Sequence, residues 1–435
     1  MSRVFPDENR ARGWERTWGT FRYRWVMLGI WLLMMTINSV TLVNYPLALP
    51  NIAKEFGIPP STFIYYLGVL TYSLGLFVIY FGNFNGWMNT RVRLAVILAQ
   101  VFLIIPLFLI PFTFSYNAIV VLRFIQGLWF MELGLATLNL RGWFSKGELA
   151  IAMAAPLSAL QFGSALGGFI EKAIAEQIGW RMAFLITGVM DVVATAIFLV
   201  LYRDAPGYND YLVINRLRNL AERGKHGCPP PYKLPIAYAI GFAQIATTMA
   251  FASIPYLVPT YGYWLGYSVP AVSNTVLIYG IISGLGIWGG AILGSILVRR
   301  TRTIRETFRA RNLTRTISYI ISFIGFLTLL FPQGNYIVYT VGATLAALIL
   351  FNIPNYWAEM TEVVPPGISG DFVFYAGAIA SAGFFLGPLI SVSLIVAAAG
   401  NVIKGFMLFL AIIVISGIIN IIQNRITIPA EKYHV

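Results

Sequence analysis

Three ionisable side chains in this sequence stand inside segments that are otherwise apolar: Arg123, Glu132 and Asp191. Arg123 lies in Ile119-Val-Val-Leu-Arg-Phe-Ile-Gln-Gly127, within an apolar run from about Asn117 to Phe144. A cation deep in a bilayer costs at least about 2.5–3.5 kcal/mol on insertion scales, so it faces a polar interior, a partner or a substrate. Arg123 is therefore expected to attract an anion or to hold its helix in place. Glu132 and Asp191 are the intramembrane acids, and they are the candidates for proton coupling; for Glu132 the alternative is a hydrogen bond to a neighbouring helix. Glu132 follows Arg123 by nine residues, which turns an ideal helix through about 900° and separates the two by about 13.5 Å along the axis. They fall on opposite faces, so no direct salt bridge is expected unless the helix is broken. Asp191 shares a stripe with Thr187 and Thr195 at four-residue spacing. Packing against the third span, with Gln100 as its polar partner, is the expected role; proton transfer is the alternative.

The elements that must position these groups follow from composition. Of 435 residues, 58% are hydrophobic and 11% charged, a balance that excludes a water-soluble domain. Apolar segments recur at roughly 25–49, 61–86, 93–114, 117–143, 148–173, 181–203, 235–261, 272–298, 313–331, 335–358, 371–398 and 402–423. Each is long enough to cross a hydrocarbon core of about 30 Å, and helices satisfy the backbone within each segment. An all-α protein of twelve transmembrane helices is predicted. Of the 30 Lys and Arg residues, 25 fall on the side that holds both termini and four on the other, leaving Arg123. By the positive-inside rule both termini are cytoplasmic, in a cytoplasmic membrane. The net charge of +13 is then a topology signal with affinity for anionic lipid heads, and leaves a nucleic-acid partner little to explain. Cys228 is alone and neighbours only His226; two ligands without a second pair do not make a metal site, and none is expected. With His434 in the tail, and no nucleophile or paired-carboxylate motif, an enzyme is not expected either, and no cofactor is implied.

The polar stretch 204–234 divides the chain into six spans on each side, with 1–24, 25–203, 235–424 and 425–435 as the remaining units. The halves echo each other. Gly163-Ser-Ala-Leu-Gly167-Gly168 in the fifth span recurs as Gly383-Phe-Phe-Leu-Gly387-Pro388 in the eleventh, a small-residue pattern expected at the bundle interface. Pro46 and Pro50 in the first span match Pro255 and Pro259 in the seventh, and Gly68 and Gly82 match Gly280 and Gly294. A six-plus-six duplication is the layout of transporters that rock two bundles around a midplane site.

Three further motifs carry a resemblance: Arg123-Phe-Ile-Gln-Gly127, Trp143-Phe-Ser-Lys-Gly-Glu148 and Gly179-Trp-Arg-Met-Ala-Phe184. On these the chain resembles a major facilitator superfamily transporter over its whole length. That implies two pseudo-symmetric six-helix bundles, alternating access, a small-molecule substrate and a monomer in the lipid bilayer. Arg203-Asp-Ala-Pro206 is similar to the anion:cation symporter branch, which moves organic and inorganic anions. The chain departs from the family where Gly86 and Trp87 stand in place of an Asp-Arg pair, and where Ser164 replaces the proline of the antiporter signature. In the symporter branch the fourth-helix acid follows its arginine by seven residues, so Glu132 departs there as well.

Around Arg123 the expected cavity residues are Asn38, Asn44, Tyr72 and Gln161 from the N-half. Gln244, Thr248, Tyr279, Asn352, Asn355, Tyr375 and Phe384 come from the C-half. The C-half spans offer no charge well inside the membrane, so a ligand of at most one negative charge is expected. A cytoplasmic gate is expected between the basic loop bearing Arg299, Arg300 and Arg302, with Arg305, Arg309, Arg311 and Arg315, and the acidic Glu359, Glu362 and Asp371. The sequence thus points to a proton-coupled symporter of a monovalent organic anion such as a monocarboxylate. An exporter of hydrophobic compounds and a uniporter of a neutral solute such as a sugar are the alternatives.

Overall fold

A computed structural model describes residues 7–17, 19–59, 62–83, 88, 91–145, 147–175, 178–221, 227–331, 334–397 and 403–433. Gly86, Trp87, His226 and His434 lie outside these residues. Twelve helices are long and apolar enough to cross a bilayer. A short helix α1 (Glu8–Thr17) precedes the first span, α2 (Arg24–Glu55). The second and third spans contain α3 (Leu67–Val78) and α4 (Val92–Leu109); the fourth is the pair α5 (Tyr116–Gly127) and α6 (Glu132–Trp143). Then come α7 (Leu149–Ala175), α8 (Trp180–Leu201) and, within the polar linker, α9 (Tyr208–Ala221). The C-half runs through α10 (Pro235–Trp264), α11 (Val269–Arg299) and α12 (Ile304–Leu329). It continues with the pair α13 (Tyr336–Ala347) and α14 (Ile353–Glu362), then α15 (Ser369–Ala397) and α16 (Ile403–Ile422).

The fourth and tenth spans are interrupted at matching places, by 3-10 turns over Leu128–Met131 and Leu348–Asn352. Such turns tighten a helix locally and often mark hinges. The repeat is therefore written in backbone geometry as well as in residues.

The ninth span begins nine residues earlier than hydropathy alone suggests. Thr303 accepts the Glu306 amide N–H, and the Glu306 carboxylate accepts the amides of Arg302 and Thr303, a capping box that starts the helix at Ile304. Arg311 and Arg315 thereby enter the bundle and are buried. The expectation of an uncharged C-half interior is corrected: the desolvation cost is met by partners described below.

The small-residue motifs also fall elsewhere than expected. A Cβ on Gly163 would sit 2.2 Å from the Thr36 carbonyl oxygen, and one on Gly167 2.6 Å from Val43, both on α2. Gly383 and Gly387 likewise press against Thr248 and Met249 of α10, while Gly168 faces open space. These glycines let the fifth span meet the first, and the eleventh meet the seventh, inside each half and not between halves. Pro388 sits within α15, where its carbonyl accepts from the Tyr256 hydroxyl of α10. The halves meet where α7 packs on α11 and α3 on α15. There Trp288 donates to Ser158 at 2.9 Å, Ser283 to Gln161 at 3.2 Å, and Gly377 lies against Tyr80.

Candidate functional site

Arg123 stands on α5 with 1% of its surface exposed. Its guanidinium carbon lies 4.0 Å from the ring centre of Tyr72 and 4.8 Å from that of Tyr45. One terminal nitrogen donates to the Gln126 amide oxygen, while Nε has no partner. Close approach of α3 makes this stacking possible, because Gly127 and Gly75 allow the two helices to touch: a Cβ on Gly127 would lie 2.2 Å from the Tyr72 carbonyl oxygen. No carboxylate pairs with Arg123 among the described residues. The charge is met by aromatic faces and one amide, an arrangement that leaves it able to receive an anion.

Arg123 lines a small cavity of about 40 Å³ with Tyr72, Ser73, Gln161, Ser164 and Phe251. A second cavity of about 30 Å³ lies beyond it, lined by Gln244, Thr248, Phe130, Phe251, Tyr356 and Phe384. Phe251 borders both cavities and forms a closed triangle with Phe130 and Phe384 of the second, with centroid distances of 5.0, 5.6 and 5.9 Å. Each cavity has room for only a few waters, and rings from both halves pack together at the second.

The structure thus brings Arg123, Tyr72 and Gln161 to one chamber and Gln244, Thr248 and Phe384 to the other. The remaining cavity candidates lie apart from both. Asn38 and Asn44 turn into the N-half, donating to Glu132 and Thr187. Tyr279 is buried on α11. Asn352 is buried with neither amide atom partnered, and Asn355 is occupied by Arg311 and the Gly290 carbonyl. Tyr375 donates to Tyr238 and borders a cleft on the face that holds the termini. Phe130, Phe251 and Tyr45 were not singled out from sequence, since aromatic residues at helical spacing read equally well as packing.

The two acids share the N-half interior. Glu132 accepts from the Gln100 amide at 2.6 Å and the Asn38 amide at 2.8 Å, and Gln100 in turn accepts from Thr195 at 2.8 Å. The 3-10 turn before Glu132 does not bring it to Arg123. Gln100 is therefore the partner of Glu132, and the expected pairing of Gln100 with Asp191 is corrected. Asp191 is fully buried, and neither carboxyl oxygen has a hydrogen-bond partner.

The acidic and basic groups assigned to a gate pair only in part as expected, through Arg311 and Arg315. Arg311 forms a two-pronged bridge to Glu362 at 2.6 and 2.7 Å, and Arg315 meets Glu359 at 2.5 Å. Asn312, Asn355 and Asn420 complete the cluster. Both bridges join the ninth span to the tenth within one half, so they do not close the two halves on each other. Arg299, Arg300 and Arg302 are exposed, without an ion pair to the acidic residues among those described. Asp371 instead meets Arg216 of α9 at 3.8 Å, one of the links between the linker and the C-half. The capping box at Thr303 and the Arg-x-x-x-Arg spacing of 311 and 315 were the signals available in sequence.

Comparison with known proteins agrees with this architecture. A model described as Major Facilitator Superfamily matches residues 26–388. A protein of Cupriavidus necator described as a probable sulfoacetate transporter is 24% identical over 382 residues, 85% of this chain and 85% of its own. An uncharacterised transporter of Bacillus subtilis, of the same superfamily type, is 27% identical over 149 residues, covering 34% of this chain and 36% of its own.

Proposed function

The chain belongs to the major facilitator superfamily and is a membrane transporter of small solutes, and on that premise we propose that its substrate is a small organic anion held by Arg123. The observation that carries this reading is a buried guanidinium stacked on Tyr72 and Tyr45, bordering the chamber at the bundle interface, with no carboxylate of the protein against it. An anionic head docking there gains charge-assisted hydrogen bonds worth about 1.5–3 kcal/mol each in a site from which water is largely excluded. Gln161 and Ser73 supply polar contacts beside it, and the Phe130, Phe251 and Phe384 rings form an apolar wall.

One cation at the chamber favours a monoanion such as a monocarboxylate. The likeness to a probable sulfoacetate transporter makes sulfonates the next class to test. Transport proceeds by alternating access, with the Phe130, Phe251 and Phe384 triangle parting as the halves rock, and with both termini in the cytoplasm. A proton moving with the anion, carried by the acids of the N-half, is the coupling we favour. The aromatic wall also suits a hydrophobic compound, which keeps an exporter as the second reading. Reconstituted protein separates the two. Uptake of labelled monocarboxylates or sulfoacetate, saturable and driven by an inward proton gradient, is expected; efflux of a lipophilic cation without anion uptake would favour the exporter.

A further inference from the structure

We propose that Asp191 carries a proton in this conformer while Glu132 is ionised, so that one proton is stored inside the N-half and away from the substrate chamber. The two carboxyl groups have opposite surroundings. Glu132 accepts from two amide donors, Gln100 and Asn38, one on each oxygen. Asp191 has no donor on either oxygen and is fully buried. A carboxylate without hydrogen bonds or a cation inside a membrane span costs several kcal/mol, whereas the neutral acid does not. Two carboxyls whose environments differ in this way divide the acid and base roles between them. The Asn38 side-chain oxygen is a third buried acceptor without a donor in the same half. A shortage of donors among acceptors is what a bound proton relieves.

The elements that pack on α8 bring amides and hydroxyls to this level. From α2 the polar groups are Asn38, Thr41 and Asn44 and from α4 it is Gln100; the described side chains of α7 add no titratable group, and the turn Ile110–Phe112 is apolar. Asp191 acts electrostatically on Glu132 and Tyr72, and among the described residues no Lys or Arg bridges to it. Tyr72 is also the ring beneath Arg123 and receives the Trp129 indole N–H at 2.8 Å. Tyr72 thus lies against the anion site and within electrostatic reach of Asp191, which couples the charge of the two.

The assignment rests on the proposed proton coupling only for its use in transport; the protonation itself is read without substrate. Infrared spectra of the purified, substrate-free protein at neutral pH report neutral carboxylic acids by their C=O stretch, which shifts on transfer to D2O. A band lost in Asp191→Asn and retained in Glu132→Gln is expected. Retention in Asp191→Asn, or loss in Glu132→Gln, overturns the assignment; should Asp191→Asn not fold, Asp191→Glu is expected to shift the band, and an unshifted band overturns it. The band is also expected to be indifferent to replacing choline chloride with sodium chloride. Its disappearance with sodium would make the stored cation Na⁺ and refute the proposal.

Discussion

Replacing Arg123 with Gln separates a substrate-binding arginine from a structural one, because the two roles predict different stability signatures. Two stacked rings contribute up to about 2 kcal/mol each to a desolvated guanidinium. Against this stands an insertion cost of at least about 2.5–3.5 kcal/mol for a cation at this depth. The terms nearly cancel, so Arg123→Gln should leave the substrate-free melting temperature within a few degrees of the parent or raise it. Binding behaves otherwise. An anion that loses one charge-assisted contact, about 2.7 kcal/mol within the usual range, binds about a hundredfold more weakly. At a concentration of 100 times the parent Kd, ligand stabilisation of about 2.7 kcal/mol would fall to about 0.4 kcal/mol. The assay is a thermal-shift titration of purified protein with acetate, lactate and sulfoacetate, with Arg123→Lys alongside. Lysine keeps the charge but not the planar fork, and should give an intermediate shift. A large fall in substrate-free stability with an unchanged ligand shift would refute the reasoning and make Arg123 a helix fastener.

Three further outcomes follow from the packing. Arg315→Met, which strands the buried Glu359, should lower stability by about 3–5 kcal/mol, and Arg315→Met/Glu359→Leu should recover most of it. Equal melting temperatures for the single and double variants would show that the pair is not coupled. At the end of the first span, the Arg181 guanidinium holds the Glu55 carboxyl below its ordinary range, with help from the Trp180 indole at 3.0 Å. A depressed carboxylate contributes stability above its unfolded value and loses it as pH falls through the folded one. The difference between parent and Glu55→Gln, no more than about 1 kcal/mol for a half-exposed pair, should therefore be present at pH 7 and vanish toward pH 3. A pH-independent difference would exclude this linkage. Trp14 packs against Tyr208 and Tyr211 at 4.9 and 4.4 Å and donates to the Gly142 carbonyl at 2.9 Å, fastening α1 to α9 and to the end of the fourth span. Cys228 follows α9, its amide bound to Asn219, and burial pushes its thiol up to about 12. Trp14→Ala should accelerate maleimide labelling of this single cysteine at least about tenfold, from a lost packing energy of about 3–5 kcal/mol. An unchanged rate would mean that α1 does not hold the linker closed.

Arg123 and the twelve spans were legible in sequence because a bilayer tolerates few alternatives: helices of about 20 apolar residues, and charges only where something receives them. The n and n+6 echoes were legible too, since a duplicated fold leaves its prolines and glycines in register. Local chemistry set the limit. Hydropathy placed the start of the ninth span near 313, because arginines depress it, although the capping box at Thr303 begins the helix at Ile304, nine residues before that point. Arg311 and Arg315 consequently read as a loop when they are a buried lattice with Glu362 and Glu359.

Helical periodicity determined that Arg123 and Glu132 face apart, since that depends only on rotation per residue along one chain. It could not determine what each then meets. Whether Gln100 reaches Glu132 or Asp191, whether Gly163 seats on the first span or across the interface, and whether Phe130 closes on Phe251 and Phe384 are all questions of how separate helices pack. Those contacts join residues tens to hundreds of positions apart, and side-chain shape decides among alternatives that composition leaves equal. The sequence by itself placed the charges in the membrane, and the tertiary structure alone decided which of them are paired and which are not.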